Sequence, residues 1–132
     1  MRRLQILCVD SDQNACDRVQ QSLASYCAVT CVTSLSEAKL SLEMHIPDML
    51  IVEVLIGQEN GLDFCRFVRR HPTLLHLPIM ILTSQATLQD KVAGFQAGVD
   101  DYVIKPFDAR HLLARIRLLS RIKHIEQADP GY

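Results

Sequence analysis

Hydrophobic positions along the chain switch between two periods. Leu4 to Val9, Ala28 to Thr33, Met49 to Glu53, Ile79 to Thr83 and Asp101 to Ile104 are short stretches rich in apolar and β-branched residues, as buried strands are. The segments between them follow a helical period. Gln13 to Ser25 places Ala15, Val19 and Leu23 on one face. Ser34 or Ser36 caps a second helix carrying Ala38, Leu42 and Ile46, which Pro47-Asp48 ends. After a loop holding Gly57, Asn60 and Gly61, a third helix runs from Leu62 to Arg70 and stops at His71-Pro72. Thr87 to Ala97 forms a fourth with Gly98 as its C-cap, and Ala109 to Glu126, beyond Pro106, forms the fifth. Five strands alternating with five helices predict an α/β domain with a doubly wound, five-stranded parallel sheet. Residues 1–126 belong to this domain, and 127–132, with Pro130-Gly131, read as a tail or the start of a linker.

Composition narrows the functions available. A chain of 132 residues, 48% hydrophobic and 22% charged, suits one soluble domain with a core rather than a disordered chain. Its apolar runs, such as Met49 to Val52, are far too short to cross a bilayer, so no membrane association is expected. Met1-Arg2-Arg3 leads straight into a strand without the apolar region of a signal peptide, and the expected location is cytoplasmic. Fourteen basic against fifteen acidic residues give a net charge of -1, unlike a domain built to neutralise phosphates. The late basic residues Lys105, Arg110, Arg115, Arg117, Arg121 and Lys123 read as a solvated helix flank, and no direct nucleic-acid binding is expected. The five cysteines, Cys8, Cys16, Cys27, Cys31 and Cys65, are odd in number and contain no C-x-x-C pair, which fits neither a disulfide scaffold nor a zinc site.

The strand ends carry the candidate chemistry, because ligands of open α/β sheets bind beyond the carboxyl ends of the strands. Asp10, Ser11 and Asp12 follow the first strand, Glu53 ends the third, Thr83 and Ser84 end the fourth, and Lys105 with Pro106 ends the fifth. Carboxylates, a hydroxyl and an ammonium on one rim suit phosphoryl chemistry with Mg²⁺. Singly, Asp12 reads as a helix cap, Thr83 as a strand-end residue and Lys105 as a solvated side chain. Their convergence favours one shared site.

With these residues in place, the chain from about Leu4 to Arg121 resembles a response regulator receiver domain of two-component signalling, which implies a CheY-like, flavodoxin-like fold. Ile6-Leu7-Cys8-Val9-Asp10 resembles the family's first strand and acidic turn, and Pro47-Asp48-Met49-Leu50-Ile51-Val52-Glu53 its phosphoacceptor strand. Gly61 stands eight residues after Glu53, where the family usually has Gly. Ile81-Leu82-Thr83-Ser84 resembles the switch-threonine strand. Gly98-Val99-Asp100-Asp101-Tyr102-Val103-Ile104-Lys105-Pro106-Phe107 is similar to the subfamily with winged-helix DNA-binding output domains (the OmpR/PhoB type), in which the Lys-Pro bond is cis. The resemblance implies a switch pair of Thr83 and Tyr102, a linked output domain or protein partner, a sensor histidine kinase upstream, and signalling rather than enzymatic activity.

The departures bear on mechanism. Glu53 stands where the family phosphorylates Asp, and Ser11 replaces the second acid of the turn, the family's direct metal ligand. Gly57 replaces a common Pro. The glutamate carboxylate reaches roughly 1.5 Å further than an aspartate's, and misplacing a nucleophile by about 1 Å costs around 10²-fold. Mg²⁺ held by Asp10 and Glu53 is expected to bind weakly or not at all. The leading expectation is a pseudo-receiver in which Glu53 pairs with Lys105. The alternatives are an ordinary phosphoacceptor receiver and a small flavodoxin-like nucleotide-binding protein, although the chain has neither G-x-G-x-x-G nor G-x-x-x-x-G-K-[ST]. If Glu53 reaches Thr83, Tyr102 is expected to be mostly buried, and otherwise to point outward; the plain alternative is a half-buried strand aromatic with no switch role. A weak homodimer is expected through the fourth helix, fifth strand and fifth helix. In it Asp100 and Asp101 would meet Lys91, Arg115 and Arg117 across a two-fold axis, around an apolar centre including Leu118 and Ile122.

Overall fold

A computed structural model of the chain describes residues 3–85 and 87–128, with side chains as far as residue 123. Five strands form one parallel sheet: β1 (Leu4–Val9), β2 (Cys27–Val32), β3 (Met49–Val52), β6 (Ile79–Thr83) and β7 (Asp101–Ile104), in the order β2-β1-β3-β6-β7. A small antiparallel hairpin, β4 (Leu55–Ile56) and β5 (Glu59–Asn60), stands apart from it. The helices are α1 (Gln13–Leu23), α2 (Leu35–Met44), α3 (Gly61–Arg70), α4 (Leu88–Gln96) and α5 (Ala109–Ala128). This is the expected doubly wound α/β arrangement.

The pleat divides the core in two. On one face Leu7 and Val9, with Leu50, Val52, Ile79 and Ile81, pack against Ala38 and Leu42 of α2 and Phe64, Cys65 and Val68 of α3. On the other, Ile6 and Cys8, with Met49, Ile51, Met80 and Leu82, pack against Cys16, Val19 and Leu23 of α1 and Leu112, Ile116 and Leu119 of α5. Alternate strand residues thus serve opposite layers, which is why the central strand β3 is apolar at all four positions and β6 at all but its final Thr83. The chain order reverses between β1 and β3, so the crevice opens at the ends of those two strands.

The helices begin where short polar side chains satisfy their first N–H groups. Asp12 caps α1, Ser34 α2, Asn60 α3, and Thr87 with Asp90 closes a capping box on α4. Several details differ from the sequence reading. Ile46 lies beyond α2 and is half exposed: Pro47 disfavours helical geometry at the residue before it. β2 starts one residue earlier than expected, at Cys27. The loop after β3 is a hairpin whose turn places Gly57 at φ 63°, a left-handed conformation that glycine adopts without strain. Helix α5 continues to Ala128, and residues 129–132 of the expected tail lie outside the described residues.

Candidate functional site

Each site residue is placed by the strand that ends beside it. Asp10 follows β1, with its N–H on the Val32 carbonyl, and Glu53 follows β3, with its N–H on the Val9 carbonyl. The two carboxylates therefore leave adjacent strands side by side. Lys105 follows β7, its N–H on the Thr83 carbonyl at 2.9 Å, and the peptide bond that joins it to Pro106 is cis. The Lys105 ammonium lies 2.7 Å from Asp10 Oδ2 and 3.4 Å from Glu53 Oε1.

Asp10 is one of two buried polar residues among those described, and Thr83 is the other. Burying a carboxylate is costly unless it is paired and hydrogen-bonded. Asp10 meets both conditions, because its second oxygen accepts from the Asp12 N–H at 2.9 Å. Glu53 turns its second oxygen back onto the Val54 N–H at 2.7 Å. Burial works against the charged form of Lys105. The hydrogen bond and charge of Asp10, with those of Glu53, outweigh it and raise the ammonium above the ordinary lysine value.

The remaining rim residues are drawn elsewhere. Ser11 Oγ accepts from the Gly57 N–H at 3.0 Å, which ties the acidic turn to the hairpin. Asp12 is exposed and occupied as the α1 cap, accepting from the Asn14 N–H at 3.0 Å. It thus leaves the pocket in which it was placed with Asp10. Thr83 Oγ1 accepts from the Gln85 N–H at 3.1 Å, and no hydrogen bond joins it to Glu53. Two facing carboxylates that already share an ammonium, beside a hydroxyl turned to a backbone N–H, fit an octahedral Mg²⁺ poorly.

Of the three positions open to Tyr102, mostly buried, turned outward or half-buried as a plain strand aromatic, the structure has the last. The ring is half-buried and held on α4, with its hydroxyl donating to the Asp90 carbonyl at 2.8 Å and its ring 5.9 Å from that of Phe95. It fits because Gly94 has no side chain: a Cβ there would lie 2.4 Å from the Tyr102 ring.

Four of the charges assigned to a two-fold interface, Asp100, Asp101, Arg115 and Arg117, are also engaged within the chain. Arg115 grips Asp101 with two nitrogens, at 2.7 and 2.6 Å. Asp100 accepts from Arg69 and from the Ile79 N–H, both at 2.9 Å, with Lys123 at 3.3 Å. The Arg117 guanidinium stacks over Tyr26 at 4.8 Å. Leu118 and Ile122 remain substantially exposed, as expected, and Leu88, Val92 and Phe95 of α4 are exposed too.

Two features escaped the sequence reading. Arg69 pins the far end of the sheet, reaching the Gly98 and Leu77 carbonyls at 2.8 and 2.6 Å besides Asp100. Its place in the last turn of an amphipathic helix gave no sign of this. The second is a group of three cysteines from separate elements, Cys8, Cys16 and Cys31, whose sulfurs lie within 4.8 Å of one another. The hydrogen bond with Cys8 draws the Cys16 thiol down to about 7 against the opposing effect of burial, and pushes Cys8 well up. Burial pushes Cys65, by contrast, up to about 12.

Residues 6–117 match the response regulator receiver domain family. The chain is 34% identical over 126 residues to the DNA-binding dual master transcriptional regulator RpaA of Synechocystis sp., covering 93% of this chain and 52% of that protein. It is 36% identical over 117 residues to the response regulator ArlR of Staphylococcus epidermidis, covering 88% and 52%. A crystal structure of a response regulator from Chloroflexus aurantiacus superposes with a TM-score of 0.86 at 33% identity, covering 91% of this chain and 99% of that one. The chain spans about half the length of the curated relatives it matches.

Proposed function

The chain belongs to the response regulator receiver domain family of two-component signalling, and from that premise we propose that it is a pseudo-receiver, a regulatory module not phosphorylated at Glu53. Receiver domains are signalling modules rather than classical enzymes. The observation that carries the reading is the Lys105 ammonium shared by Asp10 and Glu53, at 2.7 and 3.4 Å. A glutamate carboxylate reaches roughly 1.5 Å further than an aspartate's, into space that a phosphoryl group would need, and Glu53 spends one oxygen on the Val54 N–H. Ser11 removes a charged metal ligand and faces Gly57 instead. Phosphoryl transfer is mostly positioning and charge neutralisation, and both are weakened here.

Glu53 is a poor stand-in for the phosphoryl group itself. It supplies one negative charge, against nearly two. A charge-assisted hydrogen bond contributes about 1.5–3 kcal/mol, whereas moving a two-state equilibrium from 1:99 to 99:1 takes about 5.5 kcal/mol. Glu53 makes no bond to Thr83 that would carry its charge to Tyr102. A fixed or partly activated scaffold follows. It would act through a protein partner or an output domain beyond α5, as its relatives of twice the length suggest, and a sensor kinase would dock without transferring phosphate.

Acetyl phosphate with Mg²⁺ should leave the intact mass unchanged. Glu53→Asp alone should label weakly, because Ser11 still lacks the carboxylate, and Glu53→Asp with Ser11→Asp should label strongly. Acyl phosphate on wild-type Glu53 would overturn the proposal in favour of an ordinary receiver, and robust labelling of the single variant at low Mg²⁺ would remove the role given to Ser11.

A further inference from the structure

The cysteine group lies outside the Lys105 pocket and has no part in the proposed function. We propose that Cys8, Cys16 and Cys31 form a three-thiolate site for a soft, three-coordinate metal ion of the copper(I) class. The ligands come from β1, α1 and β2, three elements of one rigid layer, and all three are free thiols. Cys8 and Cys16 are buried and Cys31 is partly exposed, which gives the site a closed back and an open side.

Size and ligand type select the ion. Metal–sulfur bonds of ~2.3 Å in a trigonal plane hold the sulfurs about 4.0 Å apart. The sulfurs here are separated by no more than 4.8 Å, so side-chain rotation by a fraction of an ångström closes the site. A donor set of sulfur alone favours soft ions, copper(I) among them. Structural zinc and iron–sulfur clusters ask for four protein ligands, and among the described residues no further His, Cys, Asp or Glu joins the three. Cys8 and Cys16 belong to the same buried apolar layer as Ile6, Val19 and Leu23, and Cys31 packs against it. Each thiol that becomes a ligand releases its proton to solvent, and the ion keeps its oxidation state. The site stands directly behind the acidic turn: Cys8 precedes Asp10 by two residues, and Cys16 Sγ lies 3.5 Å from the Asp10 carbonyl.

The test is anaerobic titration of the reduced full chain with copper(I) buffered by a chromophoric chelator. The expected result is uptake of a single ion, with three sulfur neighbours by X-ray absorption. Cys31→Ser, at the partly exposed ligand, should weaken uptake by more than the roughly 10–100-fold that loss of an outer-shell partner costs. Cys65→Ser should leave it unchanged. No uptake against the chelator would mean that the cysteines serve only as small core residues, and would overturn the proposal. So would uptake indifferent to Cys31→Ser, or zinc bound as tightly as copper in a four-ligand geometry. Because Cys16→Ser alters a fully buried position, the wild-type stoichiometry and sulfur count decide the matter without it.

Discussion

Two carboxylates share Lys105, so its removal leaves both without their cation. Lys105→Met should cost about 1.5–3 kcal/mol at neutral pH, the worth of hydrogen bonds to charged groups. Urea unfolding checks this. The alkaline end of the pH scale gives a second signature. The folded-state value of Lys105 is raised, so its stabilisation is complete below the unfolded value of about 10.4 and is lost as pH rises through the folded one. Burial raises the Tyr102 phenol as well and acts with the same sign. The alkaline loss should therefore shrink in Lys105→Met but not vanish, and an unchanged loss would show that the pair contributes nothing. Asp10, Glu53, Thr83 and Lys105 were legible as rim residues because each follows an apolar run whose end is unambiguous. Their hydrogen bonds were not, since side-chain torsions, which the sequence pattern does not show, set the partner, the Val54 N–H in the case of Glu53. The cysteine group was invisible for a different reason: its members are eight and fifteen residues apart and meet only once β1, α1 and β2 are packed.

At the scale of elements, helix α3 and the hairpin determine where Glu53 stands. A Cβ on Gly61 would lie 2.1 Å from the Glu53 carbonyl oxygen, which is backbone and cannot swing aside. Gly61→Ala must therefore displace either the start of α3 or the end of β3. Overpacking of this kind costs about 1–3 kcal/mol. Thermal unfolding should show the loss, and the Glu53 backbone amide should shift by NMR while the β2 amides remain in place. A variant of wild-type stability with no such shift would show that the contact is slack. The five sheet strands and five helices were legible because periods of two kinds alternate with clear stops at Pro47, Pro72 and Pro106. The hairpin was not, because strands of two residues are too short to show any period and Gly57 reads equally well as loop. The misassigned Ile46 has a local cause in the proline that follows it.

At the scale of the molecule, the sheet is covered on both faces, yet α4 and α5 leave apolar side chains outside. Leu88, Val92 and Phe95 recur at helical spacing and are 78%, 47% and 52% exposed, and Leu118 and Ile122, one turn apart, are 40% and 49% exposed. Both acids expected to guide association are already paired within the chain, Asp101 with Arg115 and Asp100 with Arg69. Any self-association through this face must then rest on apolar area. Complete burial of a Leu, Val, Ile or Phe side chain is worth about 1.5–3 kcal/mol, and these are already partly covered. Association itself costs about 4–15 kcal/mol, so the surplus is small and the dimer weak. Sedimentation at high-micromolar concentration should show a dimer fraction that acetyl phosphate does not change. Leu118→Arg should abolish it. Added salt should leave it unaltered, because internal pairs do not have to form across the interface. A monomer at every concentration, or a dimer indifferent to Leu118→Arg, would sink the assignment of this face. A dimer that salt dissolves would return the affinity to ion pairs between chains, and would require Asp101 and Arg115 to exchange partners.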